Sequence, residues 1–132
     1  MLIVDPKTKQ INITRGDFGI LDVEPDDGYV FKTTDVVRFK VFEAKKCENV
    51  KLQKDIVIDE ETPIVTIQLN GEDTKIGDII SEPKEYWYEI ELNPDTQPQT
   101  IIGYDIKGAK IFKLYPEGGD IEWYNHIVWV QL

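Results

Sequence analysis

Apolar and polar residues alternate along most of this chain, and the alternation predicts strands. Ile11 and Ile13 are interleaved with Asn12 and Thr14, and Tyr29 and Phe31 share a parity. Val37, Phe39 and Val41 stand opposite Arg38 and Lys40. A period of two, broken by Arg15-Gly16-Asp17 and by Glu24-Pro25-Asp26-Asp27-Gly28, marks half-buried antiparallel strands joined by turns. The same reading places strands at Leu2 to Val4, Lys9 to Thr14, Gly19 to Val23, Tyr29 to Lys32, Val36 to Ala44, Val50 to Asp59 and Ile64 to Leu69. Asn70-Gly71 is a strong turn dipeptide. Beyond it Ile76, Ile79 and Ile80 have helical spacing, so at most one short turn of 3₁₀ or α-helix is expected near residues 74–81, too short to stand alone. Lys84 to Asn93 is the clearest strand, with Tyr86, Tyr88, Ile90 and Leu92 on one face and Trp87, Glu89 and Glu91 on the other. Thr100 to Tyr104 and Ala109 to Tyr115 are expected to pair as a hairpin across Asp105 to Gly108.

These elements predict an all-β fold, an antiparallel β-sandwich of immunoglobulin-like or Greek-key type. A partly open barrel is the alternative. Residues 1–116 form the sandwich domain in this reading. Residues 117–132 are an aromatic carboxy-terminal segment, either a last strand or a tail that docks on a partner.

Composition narrows the function. The chain has 132 residues, with 25 acidic against 15 basic side chains and a formal charge of −10. That balance opposes a sequence-independent grip on nucleic acid, which needs clustered cations. It also opposes binding to an anionic membrane surface. Met1 to Val4 runs straight into Asp5-Pro6, so no signal peptide is expected, and no run has the length of a membrane span. Cys47 is the single cysteine, which excludes an internal disulfide.

Ile13-Thr14-Arg15-Gly16-Asp17, then Thr34-Asp35-Val36-Val37-Arg38-Phe39-Lys40-Val41, then Tyr86-Trp87-Tyr88-Glu89-Ile90-Glu91-Leu92 follow one another at domain spacing. Gly103 and Lys110 to Leu114 stand where a closing hairpin belongs. Over about residues 9–116 this succession resembles the small β-sandwich proteins and domains of phage tails and tail-like particles of Gram-positive bacteria. Among them is the amino-terminal domain of baseplate upper proteins. The resemblance implies a virion structural role without catalysis, in a particle assembled in the bacterial cytoplasm. The implied partners are copies of the chain itself, as a homo-oligomer, and other tail or baseplate proteins. Members of that group usually carry further domains, and this sequence has only some sixteen residues after the sandwich, which favours a connector over a receptor binder.

The candidate chemistry is sparse. Arg15-Gly16-Asp17 spells an integrin-binding tripeptide but reads better as a strand-end turn. Acidic pairs and triplets at Asp26-Asp27, Asp59-Glu60-Glu61 and Glu72-Asp73 lack the spacing of a calcium loop and read as solvated turns. His126 is the only histidine and Ser81 the only serine, so neither a common zinc site nor a serine triad is supplied. No metal, cofactor or catalytic residue is expected. The candidate partner-binding residues are Trp87, on the polar parity of its strand, and Trp123, Tyr124, Ile127 and Trp129 in the carboxy-terminal segment. Aromatic side chains of this kind concentrate where a partner buries them. The alternative function is a carbohydrate-binding module, with Tyr86, Trp87, Trp123 or Trp129 stacking on the sugar rings of a cell-surface glycan.

Overall fold

The computed structural model describes residues 2–44, 48–104 and 108–118. Among them the strands are β1 (Leu2–Val4), β2 (Ile11–Thr14), β3 (Gly19–Val23), β4 (Val36–Ala44), β5 (Glu48–Val57), β6 (Val65–Leu69), β7 (Lys84–Leu92), β8 (Gln99–Ile102) and β9 (Lys110–Tyr115). The fold is all-β, with one seven-stranded sheet, ordered β1-β2-β9-β7-β4-β5 with β8 also on β7, and a two-stranded sheet of β3 and β6. The chain passes between the layers at β2–β3, β3–β4, β5–β6 and β6–β7, the sheet-switching expected of a Greek-key sandwich.

The core lies between the layers because alternation sends one parity of every long strand inward. Ile11, Ile13, Val37, Phe39, Val41, Tyr86, Tyr88, Ile90, Phe112 and Leu114 of the large sheet meet Leu21, Val23, Val65, Ile67 and Leu69 of the small one. Phe39 is central, with its ring centroid 5.8 Å from that of Tyr88 and 6.2 Å from that of Phe112. The buried Tyr88 hydroxyl donates to the carbonyl of Lys9. Gly19 lets β3 pass close beneath the first hairpin, since a Cβ there would lie 2.7 Å from Leu2 Cβ.

Three details depart from the sequence expectation. All pairings are antiparallel except β2 with β9, which run parallel in the register Ile11↔Phe112 and Ile13↔Leu114. Residues 29–32 make no ladder, only a bridge of Phe31 to Thr62, although Phe31 itself is fully buried. β8 and β9 do not pair with each other. β4 occupies one edge of β7, and both later segments lie end to end along the other, Ile102 opposite Ile90 and Lys110 opposite Tyr88. They form one interrupted strand that leaves the sheet after Ile102 and rejoins it at Lys110. Gly103 marks the exit, where a Cβ would sit 2.7 Å from Thr100 Cγ2. Alternation cannot distinguish two strands that pair together from two that share a third.

Near 74–81, where at most one helical turn is expected, none forms; residues 70–83 are turns, bends and irregular backbone. Side chains compete there for the backbone groups a helix would use. Asn70 and Asp73 exchange side-chain-to-backbone hydrogen bonds at 2.9 Å each, and Thr74 Oγ1 donates 2.9 Å to the carbonyl of Asp17. Gly77, at φ 64°, then turns the chain. Ile76 plugs the end of the core while Ile79 points to solvent.

Candidate interaction face

The Arg15-Gly16-Asp17 turn is committed to the fold. Odd-numbered residues of β2 face inward, and Arg15 continues that parity just past the strand, where it is buried. Its guanidinium donates to the carbonyls of Gly77, at 2.8 Å, and Ile76, and pairs with Glu117. Gly16 has φ 88°, a backbone that side chains resist, and its N–H donates 3.0 Å to Thr74 Oγ1. An arginine turned inward onto backbone carbonyls is unavailable to a receptor. The turn instead fastens the loop before β7 to the end of β2.

The Asp26-Asp27 and Glu72-Asp73 turns are likewise engaged locally. Asp27 accepts the Tyr29 N–H at 3.0 Å, and Asp73 accepts Lys54 Nζ at 2.9 Å. No group of three or more potential metal ligands forms among the described residues. The acidic residue that sequence reasoning missed is Asp35, which is buried and accepts the Tyr29 hydroxyl at 2.7 Å, the Lys32 N–H at 2.9 Å and Asn93 Nδ2 at 3.0 Å. Burial acts to raise its pKa, and those hydrogen bonds outweigh it, leaving the carboxyl below the ordinary value. Asn93, at φ 49°, donates its N–H to the carbonyl of Val36 and accepts the Val36 N–H, so the pair locks β4 to the end of β7. The only sequence signal was an Asp one residue before a strand.

Two surfaces remain that could meet another molecule. The first is the outer edge of β5, a ten-residue strand that pairs with β4 and, among the described residues, with nothing else. Val50 and Val57 on it are 48% and 65% exposed. A bulge opposite Val41 and Phe42, together with Lys51 and Lys54, interrupts this border. Bulges and lysines are the devices by which an edge limits indiscriminate pairing.

The second surface is the outer face of the large sheet. Half of it is charged. Arg38 reaches Asp55 at 2.8 Å and Asp95 at 3.0 Å, which pushes its already high pKa further up. Lys40 lies 3.6 Å from Glu89 and 3.5 Å from Glu91. The other half is apolar, a row in register across three strands, Phe42↔Trp87↔Ile111. Trp87 is thus on the outer face, as its parity predicts, and half-buried. Tyr86 points the opposite way and is 1% exposed, so it cannot stack on a sugar. Trp123, Tyr124, Ile127, Trp129 and His126 lie outside the described residues, as does Cys47.

A cleft of about 660 Å³ opens where the chain leaves the sheet between β8 and β9, lined by Lys7, Lys9, Lys110, Asp26 and the exposed Tyr104, among others. Among the described residues lining it, Asp26 is the one acid. No protein-family model, curated protein or solved structure matches this chain.

Proposed function

We propose that the chain is a structural subunit of a phage tail or phage-like particle. In this reading it is a connector that joins copies of itself and neighbouring baseplate proteins through strand-edge and aromatic contacts, and it catalyses no reaction. It would be made in the bacterial cytoplasm and found in the assembled particle. The observation that supports this best is the pairing of a sandwich built around one core with a long open β5 border and an aromatic row on the same sheet. Edge addition and aromatic burial are the ordinary means by which such a body joins others. Closed symmetric assembly also removes exposed edges.

Mass spectrometry of particles purified after induction of the host bacterium tests this reading. The chain is expected at a fixed ratio to the other tail proteins. Its absence from intact particles would defeat the proposal.

A second reading, a carbohydrate-binding module, is favoured by the cleft beside Tyr104, where an aromatic ring adjoins amines and one carboxylate. A glycan array with Tyr104→Ala as control separates the two. Saturable binding lost in the variant would support the module, and silence would remove it.

A further inference from the structure

β8 has a second open border. It pairs with β7 on one side, and among the described residues no strand pairs with it on the other. β9, which continues its line along β7, has β2 on that side, in the register Ile11↔Phe112. Just before β2 the chain turns back to β1, so no described strand carries the lane of β2 on beside β8. The cleft of about 660 Å³ opens there, lined by Thr100, Ile101 and Ile102 of β8 and by the Lys7–Gln10 turn. A smaller cleft of about 220 Å³ shares Asp26, Thr100 and Ile101 with it and reaches Asp27 and Gln99, so the groove follows the length of β8.

Its charge runs against that of the chain. Acidic side chains outnumber basic ones by 25 to 15 overall, yet Lys7, Lys9 and Lys110 line the larger cleft with Asp26 as the one acid among its described residues. Among the described residues the Lys7 and Lys9 ammonium groups make no ion pair, and Lys9 is half-buried. The backbone beneath that amine is fixed. Lys9 is held at φ 65° because its N–H donates 2.8 Å to the carbonyl of Asp5 and its own carbonyl accepts the Tyr88 hydroxyl. An unfavourable backbone angle persists only where its surroundings impose it, and an amine on a fixed base needs little ordering to meet a ligand.

We propose that this groove takes an extended, acidic peptide segment of another protein, which adds to β8 as a strand and sets its carboxylates against Lys7 and Lys9. The open N–H and C=O groups of a strand border are met in full by another backbone, which supplies donors and acceptors at the same spacing. Amines beside that border select carboxylates, through hydrogen bonds strengthened by charge. Asp26 and Asp27 oppose acids near Gln99, so the carboxylates belong towards Gly103. A sugar could meet the amines and Tyr104 but would not continue the ladder.

The site is separate from the β5 border, so it can fail while the connector reading stands. The test is fluorescence anisotropy of the full chain with a short labelled peptide of alternating glutamate and valine, capped at both ends. Binding should saturate, weaken as salt rises, and fall roughly tenfold or more in Lys7→Gln/Lys9→Gln, the worth of one or more charge-assisted contacts. The same peptide with its valine nitrogens methylated keeps every charge but cannot form the ladder, and it should bind at least as poorly as the unmethylated peptide binds the variant. Amide exchange should slow along β8 when the unmethylated peptide is bound. No saturable binding up to millimolar peptide would overturn the proposal. Equal binding of the methylated peptide would also overturn it, since charge alone would then explain the attraction. So would binding of a uronic-acid oligosaccharide with no binding of the peptide, which would instead favour the carbohydrate module. Should Lys7→Gln/Lys9→Gln not fold, the methylated peptide and the exchange along β8 decide the question on the unaltered chain.

Discussion

Asp35 shows how one carboxylate holds an end of the sandwich together. Its three hydrogen bonds join the loop before β4 to Asn93 after β7. Asp35→Ala should therefore destabilise the fold by roughly 2–4 kcal/mol, since buried donors lose a charged acceptor. Urea unfolding at neutral pH measures this. Because the folded-state pKa lies below the ordinary value of 3.8, the contribution is full above that value and is lost as pH falls through the folded-state value. The variant should accordingly lose less stability than the parent on acidification. Glu89 has the opposite sign. Its pKa is raised above 4.5, first by loss of solvent and then by Glu91, so the charged form opposes folding. Glu89→Gln should raise stability at neutral pH by less than about 1 kcal/mol, and the gain should vanish once pH falls below the unfolded-state value, where both residues are neutral. Arg15→Ala should cost roughly 2–3 kcal/mol by leaving the Gly77 carbonyl and Glu117 without their partner. A loss near zero in the same urea titration would mean that the turn is not a fastening.

At the scale of elements, the pairing of β8 and β9 with β7 makes a prediction of its own. Gly103→Val should disrupt the exit from the sheet, because even a Cβ there meets Thr100 at 2.7 Å. Amide exchange should quicken along β8 while β4, held on the other edge of β7, stays protected. What the sequence made legible here is the set of strands and their inward faces. Val37, Phe39 and Val41, or Tyr86, Tyr88 and Ile90, declare their burial by parity alone. Pairing was less legible. The parallel contact of β2 with β9 joins residues about a hundred positions apart, and the interrupted strand beside β7 looks like a hairpin because its two halves are adjacent in sequence. The helical spacing of Ile76, Ile79 and Ile80 was overruled by Asn70, Asp73 and Thr74, whose short polar side chains took the backbone groups for themselves. Of the candidate contact residues, Trp87 was readable as outward-facing. Phe42 shares the outward parity of Arg38 and Lys40, but that it stands opposite Trp87 was not readable, because alternation gives the face and not the register between strands.

For the whole molecule, the described residues combine a β-sandwich with a long open border on β5, in a chain of formal charge −10. A formal charge of −10 keeps copies apart in dilute solution, so association must be specific and should strengthen as salt screens the repulsion. Lysines placed on the border by Val50→Lys and Val57→Lys should weaken it without lowering the unfolding free energy, because both side chains are exposed. The proposed function requires this body to join copies of itself. Sedimentation velocity of the full chain across the micromolar range, at low and moderate salt, tests it most directly. The account predicts a discrete oligomer that grows with concentration and salt and is lost in the Val50→Lys/Val57→Lys variant. A single monomeric species under every condition, with the variant indistinguishable from the parent, would contradict it.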